Sequence, residues 1–104
     1  MSPMAQQILD LVRRQRNVSF VELERIEGFG GGKLELGLEG NFVLWTGLTP
    51  EAVAALDELR GFIYPRPAHL LVYLHDGQGL DLPIAKSARH YKKPHWLPVV
   101  FNPK

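Results

Sequence analysis

Four lysine and arginine side chains fall within eight residues of KSARHYKK (Lys86 to Lys93), with His90 and Tyr91 among them and no acid. Cations interleaved with an aromatic ring suit a phosphate backbone. Lys86, Arg89, Lys92 and Lys93 would neutralise phosphates, and Tyr91 would stack or hydrogen-bond. The same run also reads as a solvated surface whose long side chains shield apolar neighbours. A second basic group, Arg13, Arg14 and Arg16, stands at the end of a predicted helix, where the helix dipole alone favours cations. Thr49 and Arg60, at the two ends of another predicted helix, complete the set of candidate contacts.

Other chemistries find less to work with. GFGGGK (Gly28 to Lys33) holds four glycines. It lacks the Gly-Lys-Ser/Thr ending and the preceding strand of a phosphate loop, and reads as a flexible turn. The histidines are His69, His75, His90 and His95, and there is no cysteine, so a zinc site would need three or four of these with carboxylates. Neither a metal nor another cofactor is expected. Ser2, Ser19 and Ser87 are the only serines, and the first two read as helix caps, so no nucleophile arrangement is suggested. The chain is not expected to be an enzyme. Trp45 and Trp96 read as core.

The 104 residues are 45% hydrophobic, which suits one domain with its own core. The net charge of +1 exerts no global pull on nucleic acid, but its distribution is uneven. Residues 1–60 carry 6 Lys/Arg and 9 Asp/Glu, and residues 61–104 carry 6 and 2. Polarity along a chain often becomes polarity across a surface. The lack of cysteine suits a reducing compartment. No apolar run approaches a membrane span or a signal peptide, so a cytoplasmic protein is expected.

The elements that must position these residues are partly written in local signals. Ser2 and Pro3 start a first helix, with Met4, Ile8, Leu11 and Val12 on its apolar face, ending near Asn17. Ser19 and Glu22 form a capping box for a second helix that Gly28 ends. KLELGL and NFVLWTGL predict two strands around Glu39-Gly40-Asn41. Thr49, Pro50 and Glu51 open a third helix, with Ala52, Ala55, Leu56 and Leu59 inward and Gly61 as its stop. Phe62 and Ile63 begin an extended stretch that Pro65 and Pro67 interrupt. LLVYLHDGQGLDLPI (Leu70 to Ile84) predicts a hairpin turning at Asp76-Gly77. Beyond it, Trp96, Leu97, Val99, Val100 and Phe101 would be costly to leave in water, so the C-terminal stretch is no loose tail.

The helix pair from Pro3 to Ile26, TPEAVAALDELRGFI (Thr49 to Ile63) and the predicted hairpin resemble, in order, a winged helix-turn-helix domain. The resemblance covers most of residues 3–84 and is architectural. It implies an α+β fold of three helices with short antiparallel strands and a C-terminal hairpin as the wing. It also implies duplex DNA as partner, with the third helix in the major groove. Two features depart from the pattern. A glycine-rich turn and two strands separate helices two and three. The third helix carries Glu51, Asp57 and Glu58 against Arg60, and acids repel DNA.

The expectation is therefore a winged-helix-like domain over residues 1–85. Residues 86–104 form a basic, then apolar, extension packed on that domain or on a partner in a homodimer. The function expected is DNA binding in a regulatory or accessory role, by backbone contacts from Lys86, Arg89, Tyr91, Lys92 and Lys93, then Arg13, Arg14 and Arg16, then Thr49 and Arg60. The alternative is a protein-interaction module on the same scaffold. A weaker third reading is single-stranded nucleic acid or RNA along the C-terminal stretch.

Overall fold

A computed structural model describes residues 1–75, 77–86 and 89–104. Helix α1 (Pro3–Gln15) begins where the Ser2 hydroxyl accepts from Ala5 N, and buries Met4, Ala5, Ile8, Leu9 and Val12. Leu11 sits at the margin of that face rather than inside it. The chain then reverses through Arg16 and Asn17, both at positive φ (61° and 47°), into β1 (Val18–Ser19).

Helix α2 (Phe20–Leu23) is one turn long, shorter than the spacing predicts. Its capping box is complete, with the Ser19 hydroxyl accepting from Glu22 N and the Glu22 carboxylate from Ser19 N. After Leu23 the bonding tightens to three-residue turns, Arg25 N to Glu22 O and Ile26 N to Leu23 O, so the segment continues without a regular helix.

GFGGGK forms turns and bends, as expected, and parts of it are closely packed. Phe29 is fully buried, Gly32 N donates to Gly47 O, and Thr49 N donates to Phe29 O. A Cβ at Gly32 would lie 2.1 Å from Leu48 O, so only glycine permits the approach. Strands β2 (Leu34–Leu38) and β3 (Phe42–Leu48) come next as an antiparallel pair.

Helix α3 (Pro50–Glu58) is capped by Thr49, whose hydroxyl accepts from Ala52 N. Ala52, Ala55 and Leu59 face the core. Pro65 and Pro67 do not interrupt the next strand, because β4 (Ile63–Pro67) runs through both. It pairs with β6 (Val99–Pro103) on one side only, and an edge strand tolerates residues without an N–H.

The described residues of Leu70 to Ile84 do not form the expected hairpin. Leu71–Leu74 is a helical turn, α4, and Leu80 to Ile84 contribute one isolated bridge, Ile84 to Trp96. Asp76 of the predicted turn lies outside the described residues, as do Ser87 and Ala88. Tyr73 accounts for the difference. Its turn of helix drops the ring into the core and leaves Leu71, Val72 and Leu74 outside, where strand alternation would have buried a different set. A short apolar run does not distinguish the two.

Among the described residues two three-stranded sheets result, ordered β1-β6-β4 and β2-β3-β5, with β5 (His95–Trp96) parallel to β3. The apolar end of the C-terminal stretch thus lies inside the chain's own core, with β6 as the central strand of the first sheet. Between the sheets sits an aromatic cluster. Phe20 stacks on Trp45 at 5.8 Å and meets Phe101 edge-on at 5.2 Å. Tyr73 packs between Trp45 and Trp96 at 5.3 and 5.1 Å.

The Tyr73 hydroxyl donates to Val99 O at 2.7 Å and accepts from Phe20 N at 3.1 Å, so it satisfies two buried backbone groups. Burial pushes its pKa up to about 12 from 10.0, helped by the Glu22 and Glu24 carboxylates. Above pH 10 the unfolded chain ionises this tyrosine first, so stability is complete below pH 10 and falls as pH rises toward 12. The whole loss is about 2–3 kcal/mol. Tyr73→Phe should cost about 1–3 kcal/mol at neutral pH by orphaning those backbone groups. It should also flatten the alkaline loss, and urea unfolding at a series of pH values reads both effects.

Candidate nucleic-acid interface

The basic loop is held by its aromatic residue. Tyr91 N donates to Gly40 O at 3.1 Å, and Asn41 Nδ2 donates to Tyr91 O at 2.7 Å, so the tip of the β2–β3 hairpin grips the loop. The Tyr91 hydroxyl accepts from Lys86 N, and its ring stacks on His95 at 3.7 Å and meets Phe42 edge-on at 5.8 Å. Tyr91 is therefore engaged in structure, with its ring stacked on His95 and its hydroxyl and backbone bonded. Its backbone anchor holds the adjoining Lys92 and Lys93, which are exposed, as are Lys86 and Arg89. Arg89 takes part in a further interaction of its own.

Arg13 and Arg14 are exposed on α1, and Arg16, its C-cap, precedes Asn17, which binds a cation from a distant strand. Arg66 on β4 donates to Asn17 Oδ1 at 2.9 Å, next to Arg16. Asn102 closes the group, donating through Nδ2 to Asn17 Oδ1 at 3.0 Å and accepting from Asn17 N at 3.2 Å. Arg16 has φ 61° and ψ 163°, a region that essentially only glycine occupies without strain. A cation is thus held where glycine would suit the backbone better. The signal for Arg66 is the sequence Pro-Arg-Pro itself, an exposed edge-strand cation, but its neighbours come from 49 residues away.

Two more bonds link the end of β4 to the segment that carries the loop. Ala68 N donates to Pro98 O at 2.9 Å and Leu97 N to Val43 O at 2.9 Å, so the ends of β4 and β5 meet the hairpin end of β3. Arg66 accordingly lies near the end of β6 that adjoins Lys92 and Lys93, whereas Arg16, two residues before Val18 opposite Phe101, lies toward its Pro103 end. The start of α3 lies a seven-residue strand away, about 20 Å.

Thr49 and Arg60 do not join them. The Thr49 hydroxyl is consumed by its cap and by donating to Gly28 O at 2.5 Å. Arg60 pairs with Asp57 at 2.8 Å. Glu58 accepts from Ser2 N at 3.1 Å, while Glu51 and Asp57 remain exposed on the same helix.

No three histidines or carboxylates gather into a metal-sized group among the described residues. Trp45 is buried, and its Nε1 donates to Glu24 Oε2 at 3.1 Å. Trp96 is buried, and its Nε1 meets no hydrogen-bond partner among the described residues. No helix of the described residues is long and apolar enough to cross a membrane. Apart from the basic end, a groove of about 370 Å³ runs between β2, α3 and β4, lined by Leu36, Leu38, Leu44, Val53, Leu56 and Ile63 with the Asp57–Arg60 pair at its rim.

No protein-family model, curated protein or solved structure matches this chain.

Gly40 is the residue on which the grip depends. Its φ is +98°, and a Cβ there would lie 2.6 Å from His90 Cδ2. Gly40→Ala should cost about 1–2 kcal/mol in chemical denaturation. It should speed amide hydrogen exchange at Tyr91 more than at Phe101 in the central strand.

Proposed function

We propose that the chain is a winged-helix-like DNA-binding protein of regulatory or accessory role, docking on the phosphate backbone through its basic end and not through α3. The observation that carries this reading is the exposed Lys86, Arg89, Lys92 and Lys93 of a loop anchored at the β2–β3 hairpin tip, with Arg66 at the adjoining end of β4, while α3 opens at Glu51 a strand's length away. Phosphate neutralisation by Lys and Arg supplies most non-specific affinity, so the docking face follows the cations.

The sheet order supports the scaffold. The strand between helices one and two, β1, is next to β6, and β6 is next to β4, which follows α3. In a winged helix the wing strands occupy the places of β4 and β6. The connection between them, residues 68–98, would then be an enlarged wing bearing Lys86, Arg89, Lys92 and Lys93. The strain at Arg16 adds support, since strained positions persist where function requires the side chain.

A second reading, a protein-interaction module, is favoured by the apolar groove beside α3.

Titration of fluorescent duplex DNA of mixed sequence at about 50 and 200 mM salt tests the proposal. Binding should weaken steeply with salt, and Lys92→Glu/Lys93→Glu should abolish most of it and lower the salt slope by about two. Arg16→Gly should raise folding stability by about 1 kcal/mol yet weaken binding. No binding by the wild-type chain at the lower salt would refute the DNA reading and favour the protein partner.

A further inference from the structure

The two sheets have four edges, and three of them are protected against pairing with another chain. Strand β1 has only two residues. Strand β4 carries Pro65 and Pro67. The far side of β5 is covered by the segment at Pro83 to Ala85, where Trp96 N donates to Pro83 O at 2.8 Å and Ala85 N to Trp96 O at 2.8 Å. Strand β2 differs. It has five residues, no proline, and an outer edge that pairs with no other strand among the described residues. The irregularities of its hairpin lie on β3, where Leu44 and Gly47 have no opposite number, so β2 keeps a plain pleat. Leu34 and Leu38 on it are 41% and 51% exposed. Natural sheets rarely leave a long apolar edge open.

The residues of this edge also say what covers it. From Lys33 to Glu39 the chain reads KLELGLE. Laid antiparallel on a second copy of itself about Leu36, every position finds a compatible partner. Lys33 faces Glu39, Leu34 faces Leu38, Glu35 faces Gly37, and Leu36 faces Leu36. The two-fold axis repeats each pair. No like charges oppose one another, and the one acid inside the strand faces a glycine. Opposite charges and apolar pairs directly across antiparallel strands each stabilise the pairing, whereas like charges oppose it. A register shifted by one residue in either direction loses this match and turns leucines toward the polar face.

We propose that the chain forms a two-fold homodimer by joining β2 to β2 in this register, giving one continuous sheet, β5-β3-β2 followed by β2-β3-β5 of the second copy. The interface is isologous, as a two-fold requires. It continues the leucine face that borders the groove beside α3, and it leaves the basic loop outside. The dimer is independent of the DNA reading, since neither Lys92 nor Lys93 takes part.

Charge exchange across the pair tests both the interface and its register. Sedimentation equilibrium of the full chain over about 1 to 500 µM should show a concentration-dependent monomer–dimer equilibrium. Lys33→Glu places Glu opposite Glu39, and Glu39→Lys places Lys opposite Lys33. Each alone should weaken dimerisation about 10- to 100-fold, because two symmetric pairs turn repulsive. The double variant Lys33→Glu/Glu39→Lys restores opposite charges and should return the dimer to within about threefold of wild type. A wild-type chain that stays monomeric throughout overturns the proposal. So does a dimer insensitive to both single reversals, or a double variant that fails to recover.

Discussion

A single buried hydroxyl ties the two sheets of this protein together. Tyr73 donates to Val99 O in the central strand of one sheet and accepts from Phe20 N at the start of α2. Its ring meanwhile touches Trp45 and Trp96 in the other sheet. A buried backbone group without a partner is costly, and here one side chain satisfies a donor and an acceptor from segments far apart in sequence. The helical turn at Leu71–Leu74 arises from this demand. It delivers the ring inward and leaves its apolar neighbours in water, a local cost that the shared hydrogen bonds and aromatic contacts offset.

Tyr73 and Trp96 anchor the two sides of the connection between β4 and β6 in the core. Between them, Tyr91 is held at the tip of the β2–β3 hairpin by Gly40 and Asn41. A stretch that reads as a charged run is thereby given a defined place. The acid-rich first part of the chain supplies α3 and its surroundings, and the basic second part is delivered to the hairpin end. Only the start of α3, with Glu51, is kept a strand's length from the basic loop by β3, since the helix runs back and brings Asp57 beside Gly37 and Leu38.

The sheet edges divide the surface in a different way. Proline, short length and a covering segment close three edges, and β2 is left with a self-complementary pattern of leucines and charges. Backbone donors and acceptors on that edge are either hydrated or paired, and pairing becomes favourable only where side chains on both strands agree. The basic end and the β2 edge use different residues, so one can serve a ligand while the other serves assembly.

By itself the sequence determined what depends on near neighbours. The Ser2, Ser19/Glu22 and Thr49 caps form as their spacing requires, because a side chain satisfies backbone N–H groups two or three residues away whatever the rest of the chain does. Both strands around Glu39-Gly40-Asn41, the apolar face of α1 and the exposed Lys92 and Lys93 were equally legible. Tertiary structure decided whatever depended on distant partners. Val18 pairs with Phe101 and Ile63 with Pro103, and no local pattern announces either. Pro65 and Pro67 looked like an interruption because their tolerance depends on lying at an edge. Leu71 to Leu74 looked like a strand because four apolar residues fit either period, and only the core's need for Tyr73 chose the helix. Arg66 reaches Asn17 by the same logic, since the β1-β6-β4 order alone brings the two to either side of β6. Local hydrogen bonding is encoded residue by residue, whereas sheet order is a property of the whole core.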